Sequence, residues 1–136
     1  MADADVVLGA LANQLASDDT QQATAAAWDV LSLGERLADT LTWQEDTDAV
    51  QAMAASQACR EARRYLPAPV AGRPPQTIPT DTSAVADFAR LLALLADLLQ
   101  SDTESRIQAT STARRTAAVH TTAAHQALSA LSRKSA

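Results

Sequence analysis

From Phe88 onward the apolar residues recur at helical spacing. At about 100° per residue, Phe88, Leu91, Leu92, Leu95, Leu98 and Leu99 fall on one face, with Leu94 at its margin and Arg90 and Asp97 opposite. Extending this helix further puts Asp102 and Arg106 inside the apolar stripe, where an unpaired charge costs several kcal/mol. A turn at Ser101–Thr103 is the cheaper solution, with Ser101 or Asp102 capping the next helix and Glu104 in its first turn. The same logic holds upstream. Leu8, Leu11 and Leu15 would share a continuous face with Val30, Leu33, Leu37 and Leu41, but Asp19 would lie in its middle. The pairs Asp18/Gln21 and Asp19/Gln22 have capping-box-like spacing, so a turn is expected there too. Asp46 or Thr47 is expected to cap a third helix, ending in REARRYL with its arginines at the negative end of the dipole. The resulting map has helices at about 3–16, 19–44, 47–66, 82–100 and 103–133. The last carries Ile107, Thr110, Ala117, Thr121, Ala124, Leu128 and Leu131 on one Ala/Thr-rich face, which implies close helix approach.

All five prolines lie in the segment 67–80. They separate a helical half, 1–66, from a second, 81–136, and no P-x-x-P spacing marks a recognition motif. The expectation is one domain over 1–136, an all-α antiparallel bundle of four to five helices. Residues 67–80 then form an extended crossover along its outside.

Composition changes the picture in two ways. Apolar residues make up 47% of the chain but aromatics only 3%, so the core depends on close packing of small side chains more than on large buried areas. The net charge of −5 is unevenly placed: residues 1–50 carry −9, 51–75 carry +3, 76–103 carry −3 and 104–136 carry +4. Alternating signs favour acidic helices beside basic ones in an up-down bundle. The single cysteine, Cys59, excludes an internal disulfide. The acidic N-terminal stretch, interrupted by Asn13 and Gln14, does not read as a secretory leader, and no window reaches about 18 apolar residues. A cytoplasmic protein without a membrane span is expected.

Candidate chemistry is sparse. Trp28 lies about 180° from Leu37, and Ala27, Leu31 and Ala38 extend the apolar character of that second side. A helix apolar on two sides is either central in its bundle or carries a partner surface, and Trp is favoured at interface hot spots. Arg114 and His125 both project onto the apolar face of the last helix and could line a polar pocket for a small ligand. Arg60, Arg63 and Arg64, opposite Ala54, Ala58 and Ala62, are the only support for a DNA-associated role. The −9 of the first fifty residues repels phosphates, and polar Asp48 and Gln51 stand where a helix-turn-helix needs apolar positions. His120 and His125 are five apart and lack nearby carboxylates, so neither metal nor cofactor is expected, and no nucleotide or nucleophile motif occurs. These residues point away from an enzyme. They favour a helical interaction protein, a homo-oligomer or the binder of a protein partner, whose interface comprises Trp28, Leu31, Ala27 and Ala38. A ligand-binding bundle using Arg114 and His125 is the alternative.

Overall fold

The computed structural model describes residues 3–68, 81–101 and 107–134. These residues form five helices and no strand: α1 Asp3–Leu15, α2 Thr20–Thr42, α3 Ala49–Arg63, α4 Thr82–Gln100 and α5 Ser111–Lys134. The fold is an all-α bundle, as the periodicity predicts.

Local chemistry sets most of the boundaries. Asp19 caps α2, its carboxylate accepting from the Gln21 and Gln22 amides at 2.9 and 3.3 Å. Gln22 does not complete a capping box. Its Oε1 instead accepts from the Ser17 hydroxyl at 2.7 Å, and Ser17 Oγ accepts from the Asp19 amide. The cap of α3 is Asp48, rather than the expected Asp46 or Thr47. The turn between the helices is closed by the Thr47 amide donating to the Gln44 carbonyl at 3.3 Å, which moves the helix start one residue on. At its far end α3 stops at Arg63, and Arg64, Tyr65 and Leu66 follow with tight i→i−3 bonds. Pro67 disfavours helical geometry at the residue before it, so the helix closes early.

The chain does not run as one rod through Ser101. Helix α4 ends at Gln100, and the Ser101 amide donates back to the Asp97 and Leu98 carbonyls. Ser101 therefore terminates α4 instead of capping α5; Asp102 and Glu104 lie outside the described residues. Helix α5 starts at Ser111, later than the expected 103, with the Thr110 hydroxyl accepting from the Ala113 amide at 3.1 Å. The physical reason is long-range. Ile107 is buried in the core, and the Gln108 amide donates to buried Thr24 Oγ1 on α2 at 2.7 Å. That anchor holds residues 107–110 outside the helix.

Helix α3 packs between α2 and α5, α5 between α3 and α4, and α1 lies against α2 and α4. The C-terminal end of α2, the start of α4 and the end of α5 meet around Leu41, Gln44, Thr47, Thr82, Val85, Leu131 and Ser132. The N-terminal part of α2 meets the lead-in to α5 at Thr24 and Gln108. So α2 and α5 run one way and α3 and α4 the other. Residues 67–80 must link opposite ends of the bundle, a span of about 28 Å for a helix the length of α4. Fourteen residues reach about 43 Å when extended. Residues 69–80 themselves lie outside the described residues.

The core joins Leu8, Leu11 and Leu15 of α1, the Leu stripe of α2, the small face of α3, Phe88 to Leu99 of α4, and Ala117 to Leu131 of α5. Gly34 sits at its tightest point. A Cβ there would stand 2.8 Å from Cys59 Sγ of α3 and 3.0 Å from Phe88 Cε1 of α4. Only a residue without a side chain lets α2 approach both helices this closely.

Candidate interaction surfaces

The second apolar side of α2 is covered by the chain itself. Ala27, Leu31 and Ala38 share a stripe with Gly34 and are fully buried. They present nothing to a second chain, which corrects their assignment to a partner interface. The bland-looking, Ala-rich face of α3 covers this side: Ala52, Ala55, Ser56, Cys59 and Ala62 are buried, whereas Ala54 is exposed. Trp28 is half-buried, with the Arg63 guanidinium 5.4 Å from its ring centroid.

Around Trp28 lies the main polar seam of the fold. Glu35 accepts from Arg60 at 2.9 Å and pairs with Arg63 at 2.7 Å, while Arg63 also donates to Ser32 Oγ at 3.0 Å. One turn further along, the Ser56 hydroxyl donates to Asp39 at 2.6 Å. The acidic second helix thus lies on the basic third, as the charge alternation predicts. The Glu35 hydrogen bond and charge hold the Arg60 guanidinium protonated even above its ordinary range. The third arginine of the set, Arg64, pairs with Glu61 at 3.3 Å. All three guanidiniums proposed for DNA therefore face carboxylates of their own chain, which lowers the positive potential available to phosphates.

Cys59 lies beneath this seam. Burial, then the charge of Glu35, push its thiol up to about 12, opposed by Arg63. A buried, protonated thiol is unreactive.

Arg114 and His125 do not converge. Eleven residues of helix separate them by roughly 16 Å along the axis. His125 Nδ1 sits 2.7 Å from the Ala89 carbonyl of α4; because a carbonyl only accepts, Nδ1 carries the proton and ties α5 to α4. His120 stacks on Tyr65 with ring centroids 6.0 Å apart, joining α5 to the turn after α3. Among the described residues, no group of three His, Cys, Asp or Glu is placed to hold a metal ion. No helix there is long and apolar enough to cross a membrane.

Among the described residues, two exposed surfaces combine several apolar positions. On α1, Val6, Gly9, Ala10 and Asn13 face solvent, as does Ala16 just after it, and residues 6–17 contain no charge. Beside this face, a groove of about 390 Å³ runs between α1 and α4, lined by Leu8, Gly9, Ala12, Leu91 and Leu94, with the Asp87–Arg90 ion pair at its edge. At the α2–α3 turn, Trp43 is 86% exposed, and Val50 and Met53 of α3 are 76% and 59% exposed. Both surfaces are missed when attention stays on Trp28. The signals were present: Trp43 projects about 200° from Leu41, away from the Leu stripe, and the uncharged run 6–17 is plain in the sequence.

These features define an all-α helical bundle that, among the described residues, exposes apolar side chains on α1, at the α2–α3 turn and, at Val119, on α5. No protein-family model, curated protein or solved structure matches the chain.

Proposed function

We propose that the chain is a non-enzymatic helical interaction protein that self-associates through the solvent face of α1. The observation that carries this reading is Gly9. A glycine inside a helix costs about 1 kcal/mol relative to alanine, and this chain uses alanine freely elsewhere. Gly34 has its reason in the packing against Cys59 and Phe88, but a Cβ at Gly9 would meet nothing within 4 Å. Among the described residues, no packing contact accounts for the missing side chain. Close approach by another backbone would.

A second copy is the occupant that fits. From Val6 to Ser17 the chain carries no charge, so this stretch offers no hold to a strongly charged partner. Asn13 carries both donor and acceptor and can pair with its own counterpart across a two-fold axis. Asp87 and Arg90, of opposite sign at the groove edge, can also pair reciprocally. Two α1 helices crossing at Gly9 would set Val6 of each copy, 67% exposed, against the groove of the other. A contact built on one helix of 13 residues buries less than the roughly 800 Å² per partner of a standard interface, so the dimer is weak and concentration-dependent. A reducing, cytoplasmic setting suits the reading, since the one cysteine is buried and makes no disulfide.

Sedimentation equilibrium from about 10 μM to about 1 mM tests it, the range in which weak interfaces assemble. The mass should rise from 14.3 kDa towards twice that value, and Gly9→Arg or Asn13→Lys should hold it at the monomer with unchanged helicity. Ala10→Cys provides a second readout, because buried Cys59 leaves the new thiol as the reactive one. It should form disulfide-linked dimers far faster than Ala54→Cys on exposed α3. A constant monomer mass, or dimerisation unaffected by both blocking substitutions, would overturn the reading.

A further inference from the structure

We propose that the α2–α3 turn is a second, independent docking surface, built for a basic amphipathic helix of a protein partner. Trp43 is almost fully exposed, although a Trp presents some 150–250 Å² of largely apolar surface. It is the C-cap of α2: its amide donates to the Leu41 and Thr40 carbonyls, so its backbone is fixed while its side chain projects into solvent. Val50 and Met53 stand one turn apart on the first two turns of α3, both exposed, on the other arm of the same hairpin. The three offer a short apolar ridge at one end of the bundle.

Charge selects the occupant. From residue 37 to residue 59 the chain holds Asp39, Glu45, Asp46 and Asp48 and no Lys or Arg. Asp39 is engaged by Ser56 and Asp48 by the α3 amides, whereas Glu45 and Asp46 are exposed in the turn that follows Trp43. The same end of the bundle adds Asp81, while α5 brings Arg133 and Lys134, two cations against the four acids Glu45, Asp46, Asp48 and Asp81. The apolar ridge is therefore flanked by net negative charge. A second copy would set Glu45 and Asp46 against themselves, and an anionic membrane surface would be repelled. A helix with an apolar stripe bordered by Lys or Arg meets both requirements, seating its apolar side on Trp43, Val50 and Met53 and its cations beside Glu45 and Asp46.

A synthetic amphipathic Leu/Lys helical peptide is the probe, with the same peptide carrying Glu in place of Lys as control. In a Trp28→Phe variant, Trp43 is the only indole. Its emission should shift to the blue on adding the Lys peptide, with saturation at tens of micromolar, and should not respond to the Glu peptide. Anisotropy of the labelled Lys peptide gives the affinity for the unmodified chain. Trp43→Ser combined with Met53→Gln, which leaves every acid in place, should weaken binding at least tenfold. Glu45→Gln with Asp46→Asn should weaken it and flatten its salt dependence. Equal affinity for the Trp43/Met53 variant would reduce the attraction to net charge alone and overturn the proposal, as would an unshifted Trp43 emission or no binding. None of these readouts depends on α1 self-association.

Discussion

Substituting Gly34 with alanine tests the packing of α2, α3 and α4 at their closest point. The new Cβ would lie 2.8 Å from Cys59 Sγ and 3.0 Å from Phe88 Cε1, against an ordinary contact of about 3.5–4.0 Å. Each neighbour would have to give by at least half an ångström or so, and both are fully buried. Overpacking of this kind costs about 1–3 kcal/mol. Alanine returns about 1 kcal/mol through helix propensity, leaving a net loss of about 1 kcal/mol, or roughly 3–6 °C in Tm for a domain of this size. The decisive measurement is the double-mutant cycle with Cys59→Ala. Removing the sulfur clears the closer of the two contacts, so Gly34→Ala should become neutral or slightly stabilising in that background. The coupling should be about 1–2 kcal/mol, within the range for touching residues. Urea unfolding followed by far-UV circular dichroism gives all four stabilities. If Gly34→Ala has the same effect with and without the Cys59 sulfur, α2 does not approach α3 as closely as described.

Gly9→Ala is the complementary change: with open space at its Cβ, monomer stability should rise by about 0.5–1 kcal/mol in the same urea assay. Thr110→Ala should cost about 1 kcal/mol by removing the cap of α5. Glu35→Gln should destabilise by roughly 1–2 kcal/mol through the half-buried Arg63, between the values for exposed and buried pairs, and should alter Trp28 emission as Arg63 loosens over the ring. The Cys59 thiol, pushed up to about 12 in the folded chain, ionises near 9 when unfolded. Its raised folded value means the stabilisation is fully present below about pH 9 and is lost as pH climbs from 9 towards 12. At pH 10.5 the wild type should therefore have lost about 2 kcal/mol relative to Cys59→Ala, compared with their difference at pH 7.

How much was legible in the sequence differs helix by helix, for physical reasons. Helix α4 announces itself because large leucines on one face contrast with Arg90 and Asp97 on the other. The start of α5 does not. Its Thr, Ser and Ala residues tolerate helix and coil alike, and the position is decided by Ile107 entering the core and Gln108 reaching Thr24, a contact between residues far apart in the chain. The two-sided character of α2 was readable, but what covers the second side was not. The face of α3 that covers it is made of Ala52, Ala55, Ser56, Cys59 and Ala62, residues too small to register as an apolar stripe. Small side chains hide an interface in the sequence because they gain little area each and bring backbones close instead.

The same feature of this chain makes its two helical glycines informative as a pair. In a core assembled from alanine, the separation of neighbouring helices is set by the smallest residue at each crossing. At Gly34 the neighbours are present, and a methyl group would strike them. At Gly9 the backbone is equally bare and the helix bears the same intrinsic cost, yet the space beside it is empty. If close approach explains the first glycine, the like explanation for the second requires a neighbour that the chain does not supply from its own helices. The uncharged stretch around Gly9 and the self-complementary groups at its edge then make a second copy the natural candidate, whereas the acid-flanked ridge at Trp43 calls for a different protein of opposite charge. Loss of dimerisation in Gly9→Arg, with monomer stability intact, would show that the two glycines serve one physical purpose at two levels of structure. An unchanged monomer–dimer equilibrium would leave Gly9 as a bare cost to the helix, with no compensating contact.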